Sequence, residues 1–191
     1  MYAPDFATFA RRAGEGNLIP VCREILADTE TPVTALMKLA SRPHVFLLES
    51  VEGGEKWARY SFLGADPRLI FRVRGEEVLI EEKGSTRRIP HEGDPLRFLK
   101  KLLGQYRPVP IEGLPRFFGG AVGFLGYDMV RYFERLPAGR VESPVEDDAV
   151  FLITDTLLIF DNVRHTLKIV ACAMTGEGGD LKAIYDGAVR R

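Results

Sequence analysis

The sequence predicts an α+β fold, antiparallel sheets with helices on their outer faces, and three observations predict it. Strand-like runs at Ala58–Gly64, Arg68–Arg74, Glu76–Glu82 and around Arg87–Pro90 are separated in part by short turns at Gly75 and Gly84, the spacing of an antiparallel meander. Asp94–Tyr106 carries one apolar stripe, Leu96, Leu99, Leu102 and Leu103, with Arg97, Lys100 and Lys101 outside it, the pattern of a helix laid on a sheet. Ala149–Asp161 and Thr166–Met174 form a further strand pair, turned at Asp161-Asn162.

Composition sets the frame for these elements. The 191 residues, 46% hydrophobic and 28% charged, suffice for one ordinary domain with a core or two small ones, and one domain over 1–191 is the default expectation. Twenty-six Lys and Arg against 27 Asp and Glu leave no electrostatic case for nucleic acid or an anionic membrane as partner. Met1–Arg12 lacks the basic start and apolar core of a signal peptide, and no apolar run reaches membrane-spanning length, so a cytoplasmic location is the simplest reading. Cys22 and Cys172 have no second cysteine at metal or redox spacing and read as buried thiols. His44, His91 and His165 are scattered near strand boundaries or turns, without the spacing of a zinc site.

In chain order, Asn17–Ala27 opens with a strand pattern. Thr29–Ala40 follows as a helix that Thr31 caps and Pro32 begins, where the missing N–H costs nothing. The consecutive apolar residues Val45–Leu48 predict a strand covered on both faces, from which Glu49 and Ser50 emerge. The charges of Glu76–Lys83 predict a solvated outer strand. Asp94 caps the amphipathic helix and Pro95 starts it; a proline-rich link, Arg107–Pro115, leads on to Phe117–Asp128. That run holds glycines at 119, 120, 123 and 126 inside an apolar strand pattern, which marks a close approach by another backbone or a ligand, the neighbouring backbone being favoured. It carries no dinucleotide or phosphate-loop signature. Tyr127–Arg135 can turn helical, the acidic Val141–Asp148 stretch is expected to be a mobile loop, and Asp180–Arg190 resembles a last helix.

The chemistry-bearing candidates are few. Glu49, finishing a covered strand, needs a donor. Lys56 and Arg59 are near in sequence, and an antiparallel return of the next strand would bring Arg59 toward Glu49, with Ser50 as a neutral donor and acceptor. This arrangement reads either as a structural ion pair or as half of a site for a small zwitterion, a carboxylate for its ammonium and a guanidinium for its carboxylate. For Asp128 and Glu134, helix capping and simple exposure are favoured over a paired-carboxylate acid and base site. No serine stands at a nucleophile elbow and no lysine has the surroundings of a Schiff-base former, so the residues point to a binding or regulatory domain rather than a catalyst.

Three segments taken in order, Leu47-Leu48-Glu49-Ser50, Arg59-Tyr60-Ser61-Phe62-Leu63-Gly64 and Gly119-Gly120-Ala121-Val122-Gly123-Phe124-Leu125-Gly126-Tyr127-Asp128, resemble the N-terminal region of anthranilate synthase component I. The resemblance runs from Asn17 to the last helix. It implies part of a lyase that converts chorismate to anthranilate in tryptophan biosynthesis, with the Leu-Leu-Glu-Ser segment in an allosteric feedback site for L-tryptophan. Glu49, Ser50, Arg59 and Pro32 are the positions it places there, with no catalytic residue in this chain. It further implies that the chorismate and Mg2+ motifs lie in a C-terminal region the sequence does not contain. No cofactor is therefore expected in this chain, which alone would be inactive. The partners implied are that catalytic region and a glutamine amidotransferase subunit, component II. Apolar surface left where the catalytic region docks makes homo-oligomers plausible. The alternatives are the sister family, aminodeoxychorismate synthase component I of the folate pathway, and a stand-alone amino-acid-binding domain.

Overall fold

Two antiparallel sheets and a few helices organise the computed structural model, which describes residues 1–49, 59–135, 146–176 and 179–191. The α+β expectation is therefore met. The chain divides into two units, the first built from Met1–Pro67, Tyr106–Gly120 and Thr154–Arg191, the second from Arg68–Gln105 and Ala121–Ile153.

The first unit holds a six-stranded sheet of β1 (Tyr2–Ala3), β2 (Leu18–Leu26), β3 (Val45–Leu48), β4 (Tyr60–Ala65), β10 (Thr156–Asp161) and β11 (Thr166–Met174), in the order β1-β2-β11-β10-β4-β3. Its backbone is the long ladder between β2 and β11, paired from Leu18 opposite Met174 to Leu26 opposite Thr166. Alternation along these strands sends Ile19, Val21, Ala171 and Ala173 to one face, where Phe9 of α1 (Phe6–Arg12) and Tyr185 and Ala188 of α4 (Leu181–Arg190) cover them. Farther along that face, Ala35 of α2 (Pro32–Leu39) meets Leu63, Phe160 and Leu167. The opposite face gathers Cys22, Leu157, Ile159 and Val170 against Phe46, Tyr60, Phe62 and Phe117.

The helix starts follow side-chain chemistry. Thr31 accepts from the Thr34 N–H at 3.1 Å while the Thr34 hydroxyl accepts from the Thr31 N–H at 2.9 Å, so each end of this reciprocal cap satisfies a backbone donor. Pro32 occupies the first turn, as the sequence indicated. Helix α1 went unread in the sequence, although Asp5 caps it through the Thr8 N–H at 2.8 Å. Seven residues are too few for periodicity to register.

The second unit holds β5 (Leu69–Arg74), β6 (Glu77–Glu82), β7 (Ser85–Pro90), β8 (Gly120–Leu125) and β9 (Ala149–Thr154), in the order β7-β6-β5-β9-β8, with α3 (Pro95–Leu103) touching β6. Gly120 and Thr154, the end residues of β8 and β9, are assigned to the first unit. Strand β6 lies inside this sheet with Val78, Leu79 and Ile80 buried, so the expected outer strand is an interior one. The exposed edge is β7, whose Arg87 and Arg88 discourage further pairing. Ala149–Asp161, which reads as one strand, is two: β9 pairs with β5, then β10 pairs with β4 and β11. The expected turn between β10 and β11 is present, with Asp161 opposite Thr166.

Most of the acidic Val141–Asp148 stretch lies outside the described residues, but its end is tied down. Asp147 bonds Arg72 at 2.8 Å and Arg74 at 2.9 Å, and the Asp148 N–H donates to the Val73 carbonyl at 2.7 Å. Desolvation works to raise the Asp147 carboxyl, yet Arg74 and Arg72 hold it below the ordinary aspartate range. Asp128 pairs with Arg131 at 3.1 Å and does not cap the 3-10 turn Tyr127–Tyr132, which begins at Gly126 without a side-chain cap.

Candidate functional site

The glycine-rich strand is crowded by its neighbour. A Cβ on Gly123 would stand 1.8 Å from the Val150 carbonyl oxygen, and one on Gly126 would stand 2.9 Å from that of Asp148. The neighbouring-backbone reading of that run therefore accounts for these two glycines, and the site must be sought elsewhere.

Pairing places it at one end of the six-stranded sheet. Register runs from Val45 opposite Ala65 to Leu48 opposite Phe62, so Glu49 comes opposite Ser61. The Ser61 hydroxyl donates to Glu49 Oε1 at 3.4 Å. On the other flank of β4, Phe160 faces Ser61 and Asp161 faces Tyr60. One step further, the Asn162 N–H donates to the Arg59 carbonyl at 2.8 Å, and Asn162 Nδ2 donates to Ser61 Oγ at 3.1 Å. Glu49, Ser61 and Asn162 thus form one continuous hydrogen-bonded row across three strands.

Arg59 is turned away from Glu49. Its Nε lies 3.1 Å from each Asp161 carboxylate oxygen and its Nη2 lies 2.7 Å from Oδ2, a fork that only a planar guanidinium makes. The side chain of Asp161 is 1% exposed and that of Arg59 38%. Asp161 also accepts the Val163 N–H at 3.2 Å and the Arg164 N–H at 3.1 Å, which fixes the turn that follows. Burial acts to raise the Asp161 carboxyl, but the Arg59 guanidinium and the Arg164 N–H outweigh it and hold the group below the usual aspartate value. The expectation that Arg59 opposes Glu49 is corrected: a carboxylate already buried claims the guanidinium first.

Apolar partners flank the Val45–Leu48 strand on both faces, Phe46 packing into one cluster and Val45 and Leu47 into the other. Strand β3 is the edge of its sheet; Val45, Phe46 and Leu47 are half-buried, Leu48 is 43% exposed, and Glu49 is exposed. Ser50 and Lys56 lie outside the described residues.

Beside the row is a cavity of about 300 Å3, walled by Thr31, Pro32, Phe160, Asp161, Asn162 and His165 among others. That is the lower end of the size range of small-molecule sites, roughly 300–1,000 Å3. Pro32 stands at the mouth of α2 and supplies apolar surface, while the first turn of that helix brings its N-terminal dipole to the same wall. Of the sequence-derived residues one lines this cavity and two are linked to its wall by hydrogen bonds. Pro32 lines the cavity, Arg59 grips the Asp161 that lines it, and Glu49 reaches it through Ser61 and Asn162. Ser61, Asp161 and Asn162 were not legible as site residues: Asp161-Asn162 carried only a turn signal, and Ser61 stood inside a strand pattern.

Both thiols are buried; desolvation raises each, Cys172 to about 12, and its Sγ donates to the Phe118 carbonyl at 3.3 Å. Among the described residues no three His, Cys, Asp or Glu side chains are grouped to hold a metal ion. No helix among them is long and apolar enough to cross a membrane.

Comparison with known proteins gives one consistent result. No family model matches the chain. Curated relatives named anthranilate synthase component 1 do match: that of Synechocystis sp. is 41% identical over 195 residues, covering 100% of this chain and 38% of the relative. That of Acetivibrio thermocellus is 36% identical over 192 residues, again covering 100% of this chain and 38% of the relative. That of Pseudomonas putida is 43% identical over 165 residues, covering 85% of this chain and 34% of the relative. The resemblance read from the three segments therefore holds across the whole chain, which spans somewhat more than a third of the length of the relatives it matches.

Proposed function

We propose that this chain is the N-terminal, tryptophan-sensing part of an anthranilate synthase component 1, the lyase that converts chorismate to anthranilate in tryptophan biosynthesis. The likeness to proteins of that name supports the pathway. What supports the sensing role is one observation: Pro32 lines a cavity of about 300 Å3 whose wall residues Asp161 and Asn162 are tied to Arg59 directly and to Glu49 through Ser61.

The geometry suits the amino-acid end of a zwitterion unevenly. Glu49 offers a carboxylate to the ammonium group, and Pro32 and Phe160 offer apolar surface to an indole. Arg59, engaged by Asp161, shapes the wall instead of receiving the ligand carboxylate. Feedback then follows as a coupling free energy: tryptophan binds the inactive arrangement of the complete polypeptide better than the active one, and a tenfold preference corresponds to about 1.4 kcal/mol. Chorismate, Mg2+ and the glutamine amidotransferase subunit are assigned to the remaining part of the complete enzyme and its partner.

The test is tryptophan inhibition of anthranilate formation by the complete natural polypeptide, wild type against Glu49→Ala, each normalised to its own uninhibited rate. A rise of about tenfold or more in the tryptophan concentration for half-inhibition is expected for loss of a charge-assisted contact. An unchanged inhibition curve would overturn the reading.

A further inference from the structure

We infer that Asn162 is a positioning residue of this sensing site, holding the Glu49 carboxylate through the Ser61 hydroxyl; the inference rests on the tryptophan-sensing reading. Neither residue belongs to the Leu-Leu-Glu-Ser segment, and neither needs to touch the ligand for the effect.

Glu49 follows an edge strand, is exposed, and has a long side chain with several rotamers open to it. A carboxylate that must meet an ammonium group in a fixed place binds better if its position is set beforehand. Ser61 supplies that constraint. It is 2% exposed, stands near the start of β4, the strand between β3 and β10, and its oxygen both donates to Glu49 and accepts from Asn162. A hydroxyl used in both directions has its proton directed: because Asn162 Nδ2 donates to the oxygen, the Ser61 proton is left for Glu49.

Asn162 is itself held at the cavity wall. Its N–H is bonded to the Arg59 carbonyl at 2.8 Å, and the preceding residue, Asp161, is gripped by the Arg59 guanidinium and closes the turn through Val163 and Arg164. The same arginine therefore fixes both the backbone and the turn from which Asn162 reaches Ser61. A ligand pressing on that wall meets the residue that orients Glu49, so cavity occupancy and carboxylate position are coupled through two hydrogen bonds.

The experiment measures half-inhibition by tryptophan in the complete natural polypeptide for Asn162→Ala, Ser61→Ala, Glu49→Ala and the double variant Glu49→Ala with Asn162→Ala, each normalised to its own uninhibited rate. Loss of one orienting hydrogen bond should raise half-inhibition about three- to tenfold in Asn162→Ala and equally in Ser61→Ala. The double variant should be no worse than Glu49→Ala alone, since Asn162 has nothing left to position. Thermal unfolding of every variant identifies any that fail to fold, and Asn162→Ser, a second and smaller exposed change, then replaces Asn162→Ala with the same expectation. If Glu49→Ala weakens inhibition while Asn162→Ala and Ser61→Ala leave it unchanged, or if the double variant is additive, the inference is overturned and the sensing reading stands. If Glu49→Ala also changes nothing, the sensing reading falls and the inference with it.

Discussion

Arg59 and Asp161, 102 residues apart in sequence, meet in a two-pronged ion pair whose shortest contact is 2.7 Å, and Asp161 is almost wholly removed from water. A carboxylate that buried must keep its donors, and here it has a guanidinium and two backbone N–H groups.

Asp161→Ala should lower the stability of the first unit by about 2 kcal/mol, less than the roughly 3–5 kcal/mol for breaking a fully buried pair because Arg59 remains partly solvated. The pH dependence has a definite sign. The folded-state carboxyl titrates below its unfolded value, so its contribution is complete above that unfolded value, near pH 4, and fades as pH falls through the lower folded value. Urea denaturation of wild type and variant should therefore show a gap at pH 7 that narrows toward pH 3.

Gly123→Ala should detach or displace β8, since its Cβ would stand 1.8 Å from a carbonyl oxygen that cannot move without breaking the sheet. The loss should exceed about 2 kcal/mol, as for the larger core-overpacking cases. Gly75→Ala, with open space around it but a φ of 55°, should cost about 1 kcal/mol from backbone strain alone. Denaturant midpoints of the two variants separate crowding from conformation; equal losses would contradict the close approach.

The strand and helix inventory was largely legible because it depends on local chemistry. Thr31-Pro32 and Asp94-Pro95 announce helix starts, and the runs around Gly75 and Gly84 announce a meander. Sheet membership was not legible. Residues 149–161 are apolar on either side of Thr154-Asp155-Thr156, and only the partners of β9 and β10 show that this polar triplet divides them between two sheets. The charges of Glu77, Glu81 and Glu82 suggested an edge, yet Arg88 pairs with Glu77 at 3.2 Å and Arg72 with Glu81 at 2.8 Å, so neighbouring strands neutralise them within the sheet. For the site, Pro32, Glu49 and Arg59 carried recognisable signals. Asp161 and Asn162 did not, because their role arises from a cross-strand register that no local pattern encodes.

Thr31→Ala should cost about 1 kcal/mol by removing the acceptor for the Thr34 N–H. It also loosens the first turn of α2, which carries Pro32 along the cavity wall. Amide hydrogen exchange should quicken at the start of α2, ahead of the rest of the first unit.

Neither thiol should react in the native state. Burial pushes Cys172 to about 12 and raises Cys22 as well, so at pH 8 both are overwhelmingly protonated as well as enclosed. A disulfide reagent at that pH should label the native chain only at the rate of its unfolding, and label both cysteines promptly in denaturant.

Tryptophan located directly is the decisive measurement. A crystal structure of the complete natural polypeptide with L-tryptophan should show the indole against Pro32 and the ammonium nitrogen about 3 Å from a Glu49 carboxylate oxygen. Tryptophan bound at a place remote from Pro32 and Glu49, or Glu49 facing bulk water in the occupied enzyme, would contradict the account.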